Sequence, residues 1–257
     1  MKRSSFQVSG FKLQDSMSGH SKWSTIKRKK GAADVQKGKV FGKISRMISI
    51  AIKEKGLLPE LNPGLRLALE KAKEANMPSE NVQRIMKKWS GGGGEKIETV
   101  QFEGYGPGGV AVIIDAITDS RNRTSQEIRH LLSDHGGNLA SPGSVTWMFE
   151  RCGRIVVPLT GTSFEAIEAL AIEGGAHDVQ QEDGAAVIIT KPDELFHIKT
   201  FFEGKGIVPE RAELDYTPKN TVTVANPHAQ KQVEAFLDAL DDNDDVQDIY
   251  SNVSFVS

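Results

Sequence analysis

Residues 110–118 have the sequence VAVIIDAIT, and residues 185–190 have the similar sequence AAVIIT. Both runs are rich in β-branched residues, which favour buried strands. Around the second run, residues 154–216 alternate strand-like and helical spacing in the order β-α-β-β-α-β, with a hairpin turn at Asp183 and Gly184. This element order is ferredoxin-like, and it predicts a sheet that two helices cover on one face.

The segments on either side of this unit supply a second set of the same elements. Residues 110–150 predict β-α-β, where alternating apolar residues indicate that the last strand lies at 144–150. Residues 220–255 predict β-α-β again, beginning with a strand at 221–225. The outer elements form the same order once the inner unit is removed, so we expect one α+β domain to be inserted into another.

The residues before the first α+β unit have helical spacing. From Val40, apolar residues recur at positions that form one helix face, and Gly56 predicts the end of that helix. Asn62 and Pro63 combine an N-cap with a first-turn proline, which begins a second helix, and Pro78 begins a third. Three such helices can bury their apolar faces against one another as a small bundle.

The fold class that these patterns predict is multidomain, α and α+β. An N-terminal helical bundle is followed by two ferredoxin-like α+β domains, one inserted in the other. The boundaries that we expect are a disordered leader at 1–16, a basic helical bundle at 17–90, a glycine-rich linker and hairpin at 91–109, an α+β domain at 110–150 plus 219–257, and an inserted α+β domain at 151–218.

Charge is distributed unequally along the chain. Residues 1–90, which we call the head, contain 20 Lys and Arg against 7 Asp and Glu, a net charge of +13. Residues 91–257, the body, contain the other 12 cations against 27 acids, a net charge of −15, so the whole chain carries only −2. Such asymmetry indicates contact with nucleic acid or another acidic surface.

The cations are densest between Lys22 and Arg46, where nine of them stand against the single acid Asp34. Closely spaced charges of this kind suit contact with phosphates. Trp23 lies among them and can stack on a base, although it suits the core of the bundle equally well.

A second candidate anion site lies where a predicted helix begins in the acidic body. Arg121 and Arg123 place two guanidinium groups at a helix N-terminus, which attracts anions. The alternative is that both pair with local acids such as Asp115 or Asp119. The residues that we predict to contact nucleic acid are Lys22, Trp23, Lys27, Arg28, Lys29, Lys30, Lys37, Lys39, Lys43, Arg46, Arg121 and Arg123.

Motifs for catalysis or for binding a cofactor are not recognisable. Gly104, Gly106 and Gly109 match the spacing of a dinucleotide-binding loop, but they precede a strand and enclose a proline, which indicates a tight turn. The histidines have no metal-ligand spacing, and the single Cys152 excludes an intramolecular disulfide. No apolar run approaches the roughly 20 residues of a membrane span. We therefore predict a protein without catalytic residues, cofactor, metal or membrane contact.

Six long stretches follow one another in the chain as SGHSKWSTIKRKK (18–30), GKVFGKISRMI (38–48), NMPSENVQRIMKK (76–88), FEGYGPGGVAVIID (102–115), TDSRNRTSQEIRHLLSDHGGNLASPGSVTWMFERCGRI (118–155) and AELDYTPKNTVTV (212–224). Together they resemble the YebC/PmpR family, whose mitochondrial relatives include the translational activator of cytochrome c oxidase. The resemblance extends from Met17 to the C-terminus. The sequence departs from it at Ser120, where Asn is usual, and at Cys152, where Lys is frequent.

The resemblance implies a three-domain, non-enzymatic and cytoplasmic protein. Members of the family are described as transcriptional regulators that bind promoter DNA, and others associate with ribosomes and ease the synthesis of proline-rich stretches. It therefore implies a regulator of gene expression that binds DNA through the basic helical domain. The alternative is a translation factor that contacts ribosomal RNA and the ribosome. In either case we expect the protein to be a monomer.

Overall fold

The structure is a computed structural model that describes residues 22–23, 37–94, 96–182 and 184–255. The leader expected at 1–16 lies outside the described residues. The helices are α1 (Lys37–Lys55), α2 (Pro63–Glu74), α3 (Ser79–Ser90), α4 (Arg121–Asp134), α5 (Phe164–Glu173), α6 (Leu195–Gly204) and α7 (Pro227–Asp241). The strands are β1 (Glu98–Tyr105), β2 (Ala111–Thr118), β3 (Asn138–Leu139), β4 (Phe149–Pro158), β5 (Asp178–Glu182), β6 (Ala185–Thr190), β7 (Arg211–Pro218), β8 (Val222–Val224), β9 (Val246–Ser251) and β10 (Val253–Phe255).

The described part of the head contains the three expected helices. Gly56 follows α1 with a φ of +83°, and the side chain of Asn62 caps α2 by accepting a hydrogen bond from the backbone N–H of Leu65. The Asn62 amide also donates to the carbonyl of Ala51, which joins the ends of two helices. The three apolar faces form one core, which includes Ile44, Ile48, Ile52, Leu65, Ala68, Ala72 and Met77.

The outer α+β unit is built on a four-stranded antiparallel sheet with the order β3-β1-β2-β9. Helices α4 and α7 pack on one face, where their apolar side chains meet those of the strands. That core includes Phe102, Val112, Ile114, Ile128, Leu132, Phe236, Leu237 and Ile249. A second core on the other face of the sheet includes Ala111, Ile113, Val145, Phe149 and Tyr250.

One strand of this sheet differs from the prediction. The strand expected at 221–225 exists as β8, but it pairs in parallel with β10 in a separate two-stranded sheet. Strand β1 lies beside β2 instead, because the short turn between them brings the two into antiparallel register over their full length. The segment 91–109, where a linker and hairpin were expected, thus contains a full strand of the outer sheet. The boundaries of the domains stay a prediction.

The strand expected at 144–150 is also replaced by other structure. Strand β3 is shorter and lies earlier, and a 3-10 turn over Thr146–Met148 follows it. The carboxylate of Glu103 accepts hydrogen bonds of 2.6 to 2.9 Å from the backbone N–H groups of Gly143, Val145 and Thr146. These N–H groups are satisfied by one side chain, so the segment curves around Glu103 and does not pair as a strand.

The inserted unit spans β4 to β7 and has the predicted element order. Its antiparallel sheet has the strand order β5-β6-β4-β7, with α5 between β4 and β5 and α6 between β6 and β7. The helices and the sheet share a core that includes Ile155, Val157, Ile167, Ile188, Ile198 and Phe202. Since this unit stands between β3 and β8 in the chain, the predicted fold class is confirmed.

The glycines that resemble a dinucleotide-binding loop have packing and turn roles. A Cβ atom at Gly106 would clash with the ring of Phe236, and one at Gly104 would lie 3.0 Å from the carbonyl of Asn138. Gly109 has a φ of +76° in the turn before β2. The structure therefore contains the tight turn that the sequence predicted.

Candidate nucleic-acid interface

Two cations of helix α1, Lys43 and Arg46, contact the body through short hydrogen bonds and ion pairs. Lys43 Nζ donates to the carboxylate of Asp241 at 2.7 Å and to its carbonyl oxygen at 2.8 Å. Arg46 donates to the carbonyl oxygen of Asp244 at 2.8 Å and contacts the carboxylate of Asp245 at 3.1 Å. The C-terminus of α7 favours cations, because its last carbonyl groups lack helical partners. These contacts dock α1 on residues 241–245, which we call the acidic turn.

Lys39 and Lys37 lie nearer to the start of the same helix. Lys39 contacts Asp242 at 3.2 Å, and about half of each side chain is exposed. Exposed pairs of this kind contribute about 0–1 kcal/mol, so Lys39 can exchange Asp242 for another anion at little cost. Lys37 is exposed. The predicted contacts of both residues with nucleic acid are therefore sterically open, in contrast to those of Lys43 and Arg46.

Arg123 approaches the acidic turn from the other side. Its guanidinium group contacts the carboxylates of Asp245 at 2.6 Å, Asp119 at 2.8 Å and Glu127 at 3.5 Å. Three carboxylates therefore already neutralise this cation, but the residue is exposed, and its contact with an external anion stays a prediction. Arg121 is exposed at the start of α4, and its predicted role stays a prediction.

Asp245 binds cations of the head and of the body at the same time. Besides Arg46 and Arg123, it accepts a hydrogen bond of 2.6 Å from Thr124 Oγ1. Burial opposes its charge, but the hydrogen bonds from Thr124 and Arg123, together with the nearby Arg46, hold the pKa of Asp245 below its usual value. The two sites that the sequence suggested separately thus converge on one buried carboxylate.

Lys22 is buried at the junction of the head with both α+β units. Its Nζ atom lies 2.8 Å from the carboxylate of Glu213 on β7 and 3.0 Å from that of Asp248 on β9. Burial opposes the positive charge, but Asp248 and Glu213 outweigh it and raise the pKa of Lys22 above its usual value. The predicted phosphate contact of Lys22 is corrected, because its ammonium group is enclosed by protein carboxylates.

Trp23 is buried in the core of the outer α+β unit, whereas the sequence left open stacking on a base or a place in the core of the helical bundle. Only 3% of the residue is exposed, and it packs with the apolar residues between the outer sheet and α7. Its Nε1–H group donates to the carboxylate of Asp238 at 3.2 Å. Trp23 is therefore not available to stack on a base.

Lys27, Arg28, Lys29 and Lys30 lie outside the described residues, and their predicted contact with nucleic acid stays a prediction. A group of exposed cations that the sequence analysis did not select lies on α3. Arg84, Lys87 and Lys88 are exposed, and their spacing of i, i+3 and i+4 places them on one face of the helix. The side chains that pack toward the core are Val82, Ile85, Met86 and Trp89. These apolar positions recur with helical spacing in the sequence, so the cations between them can be predicted to lie on the opposite, exposed face of the helix.

The described ranges 22–23, 37–94, 96–182 and 184–255 lack the features of other kinds of site. They contain no group of three or more His, Cys, Asp and Glu residues that could hold a metal ion. None of the helices that the structure describes has the length and apolar composition needed to cross a membrane. Cys152 is buried with its sulfur 3.3 Å from Thr217 Oγ1, and burial raises the pKa of its thiol, which disfavours the reactive thiolate.

Comparisons with known proteins agree with this architecture. Residues 21–92 match the TACO1/YebC protein N-terminal domain, and residues 97–253 match the TACO1/YebC second and third domain. The chain is 46% identical to a protein named "Probable transcriptional regulatory protein" from Halothermothrix orenii, over 92% of this chain and 94% of that protein. It is 48% identical to a protein of the same name from Kosmotoga olearia, with the same coverage of both chains.

A solved structure is also similar to this chain. The crystal structure of a conserved hypothetical protein, Aq1575 from Aquifex aeolicus, superposes with a TM-score of 0.78 at 44% sequence identity and covers 87% of this chain and 93% of that one. The match extends over the head and the body, as the two sequence matches do. The protein therefore belongs to the TACO1/YebC family.

Proposed function

We propose that this protein is a non-enzymatic regulator of gene expression that binds DNA through the outward face of its helical head. The observation that carries the proposal is the exposed basic face of α3, where Arg84 and Lys87 stand one helical turn apart. Phosphate binding requires cations that solvent can reach, and this face meets that requirement. In contrast, Lys43 and Arg46 already contact the acidic turn.

Two further features support DNA as the ligand. Helices α2 and α3 are joined by only four residues, and α3 exposes Gln83 beside Arg84. Gln and Arg are residue types that hydrogen-bond to base edges in the major groove. The body carries a net charge of −15 against +13 on the head, so a DNA duplex is attracted to the head more strongly than to the body.

The names of the similar proteins support a role in transcription. The proposal includes a monomeric protein in the cytoplasm that needs no cofactor. Binding would depend mainly on phosphate contacts, because cations outnumber the base-reading side chains on the exposed face of α3.

The test is a salt series of binding to duplex DNA, measured by fluorescence anisotropy. The variant Arg84→Ala/Lys87→Ala/Lys88→Ala should bind more weakly to all sequences. Its plot of log K against log salt should be shallower by about 0.9 for each phosphate that the variant no longer neutralises. A second variant with Lys27, Arg28, Lys29 and Lys30 replaced by Ala measures the contribution of the segment before α1.

A matched control removes three exposed cations from the body, in the variant Arg129→Ala/Lys191→Ala/Lys231→Ala. This control variant changes the net charge by three units, as the α3 variant does. If the head makes the contact, the control should leave the salt dependence of DNA binding unchanged. An equal loss of affinity in both triple variants would show that only net charge matters and would contradict the proposal.

A second candidate function is that of a translation factor associated with ribosomal RNA. It is favoured by Trp147, a ring that is 64% exposed, because aromatic side chains commonly recognise the unpaired bases of RNA. Sedimentation of a cell lysate through a sucrose gradient, with and without ribonuclease, separates the two functions. Ribonuclease-sensitive migration with ribosomal subunits supports translation, and a footprint on a defined promoter supports transcription.

A further inference from the structure

The loop before β4 is shaped by a buried carboxylate. Glu103 is only 6% exposed, and it accepts three backbone hydrogen bonds from the loop at 2.6 to 2.9 Å. Burial opposes its charge, but the N–H groups of Gly143, Val145 and Thr146 hold the pKa of Glu103 below its usual value. The carboxylate is therefore charged at neutral pH and fixes the path of the loop.

This loop presents a large aromatic ring to solvent. Trp147 follows the last of the three N–H groups and is 64% exposed, although most tryptophans are largely buried. Its Nε1–H group donates to the carbonyl oxygen of Ser144 at 2.9 Å, and the same oxygen accepts a hydrogen bond from the Tyr105 hydroxyl at 3.0 Å. Because its polar edge is satisfied within the loop, the ring has only its apolar surface to offer a partner.

A cation is fixed beside this residue. Lys219 Nζ donates to the carbonyl oxygen of Trp147 at 2.9 Å, and the backbone N–H of Lys219 donates to the carbonyl oxygen of Met148 at 2.9 Å. The ammonium group has further donors available, since one hydrogen bond uses only one of its three protons. An ordered aromatic surface therefore lies next to a positive charge.

We propose that Trp147 and Lys219 form a site for one nucleotide of a single-stranded nucleic acid. The unpaired base stacks on the indole, and its phosphate contacts the ammonium group. Stacking on an aromatic face requires no hydrogen bond from the ring and tolerates any base, which suits an indole whose Nε1–H is already bonded. The adjacent positive charge favours this occupant over an apolar protein segment. The inference rests on the proposed function, and it adds a body site for unpaired bases to a head that contacts phosphates.

The test compares Trp147→Ala and Trp147→Phe in the full chain, with single-stranded RNA, single-stranded DNA of the same sequence and duplex DNA as probes. Trp147→Ala should lose about 5- to 100-fold in affinity for the single strands, while Trp147→Phe retains part of it. Neither variant should change duplex affinity. The RNA and DNA arms show which single strand is preferred. Lys219→Ala should make the salt dependence of single-strand binding shallower by about 0.7.

Tryptophan fluorescence supplies an independent measurement. Trp23 and Trp89 are less exposed than Trp147, so quenching by an oligonucleotide should arise from Trp147 and should disappear in Trp147→Ala. Phe196→Ala, which removes another exposed ring of the body, is the control and should bind normally. Thermal unfolding shows that each variant is folded.

The outcomes separate this inference from the proposed function. If the protein binds duplex DNA through α3 but Trp147→Ala binds single strands as tightly as the unchanged protein, the nucleotide site is refuted and the proposed function stands. If the unchanged protein binds neither duplex nor single strands, both are refuted.

Discussion

The cations of the head form an inward group and an outward group. In the inward group, Lys22, Lys43 and Arg46 each contact carboxylates of the body at 2.7 to 3.1 Å. In the outward group, Arg84 and Lys87 are exposed on α3. Each cation of either group adds one unit to the net charge of +13, but the first group fastens the head to the body and the second can attract a ligand. The net charge of a region therefore does not show which of its cations are already paired with carboxylates of the protein.

The largest effect is expected at Lys22. In Lys22→Met, Asp248 loses its buried partner, while Glu213 keeps the more distant Arg211 at 3.7 Å and Lys71 at 4.0 Å. Removing one partner of this largely buried ion-pair cluster should lower the free energy of unfolding by about 3 kcal/mol, which urea denaturation measures. Lys87→Met is the outward control and should change it by less than about 0.5 kcal/mol. Equal losses would remove the distinction between the two groups.

A smaller and pH-dependent effect is expected at Asp245. Asp245→Asn removes the charge that Arg46 and Arg123 share, and the free energy of unfolding at pH 7 should fall by about 2 kcal/mol. The pKa of Asp245 is lowered in the folded protein, so its contribution is complete above its ordinary value of 3.8 and is lost as the pH falls through the lowered value.

The difference in stability between the unchanged protein and Asp245→Asn should therefore shrink as the pH falls below about 4. Asp244→Asn is the control, because Arg46 contacts the backbone carbonyl of Asp244 and the side chain is exposed. A difference that stays constant down to about pH 2 would contradict the assigned role of the Asp245 charge.

The smallest effects should separate two pairs on α1. A double-mutant cycle of Lys43→Ala and Asp241→Ala should give a coupling energy of about 1 kcal/mol, because both side chains are largely buried. The same cycle for Lys39 and Asp242, which are about half exposed, should give less than about 0.5 kcal/mol and should vanish in high salt. Equal coupling energies for the two pairs would contradict the distinction between Lys43 as an inward cation and Lys39 as a cation open to other anions.

The local signals in the sequence predicted the helices well. Gly56, Asn62 and Pro63 act through their own backbone geometry or through hydrogen bonds within a few residues, so a short window contains the whole cause. Strand β1 was harder to recognise, because polar residues occupy its exposed positions and even the buried Glu103 is charged. The structural role of Glu103 is to bind the backbone of a loop that lies 40 positions away, and a pattern of neighbouring residues cannot predict such a contact.

At the candidate site, the contacts that the sequence could not predict are again those between residues far apart in the chain. The sequence identified the basic stretch, but Lys22 meets the carboxylate of Glu213 across 191 positions and Lys43 meets that of Asp241 across 198. A pattern of cations predicts that anions will be bound, and only the fold determines whether those anions belong to the protein. For Arg123, the nearby Asp119 did provide a signal, and the structure contains the local ion pair between these two residues.

The order of the strands along the chain has a consequence for synthesis. The inserted unit is complete once β7 has been made, whereas the outer sheet requires β9, and Lys43 and Arg46 require the acidic turn. Domains fold as they emerge from the ribosome, at about 5–20 residues per second. The nascent head therefore emerges with Lys43 and Arg46 unpaired until the acidic turn arrives, whereas the first carboxylate partner of Lys22, Glu213, is present once β7 has been made.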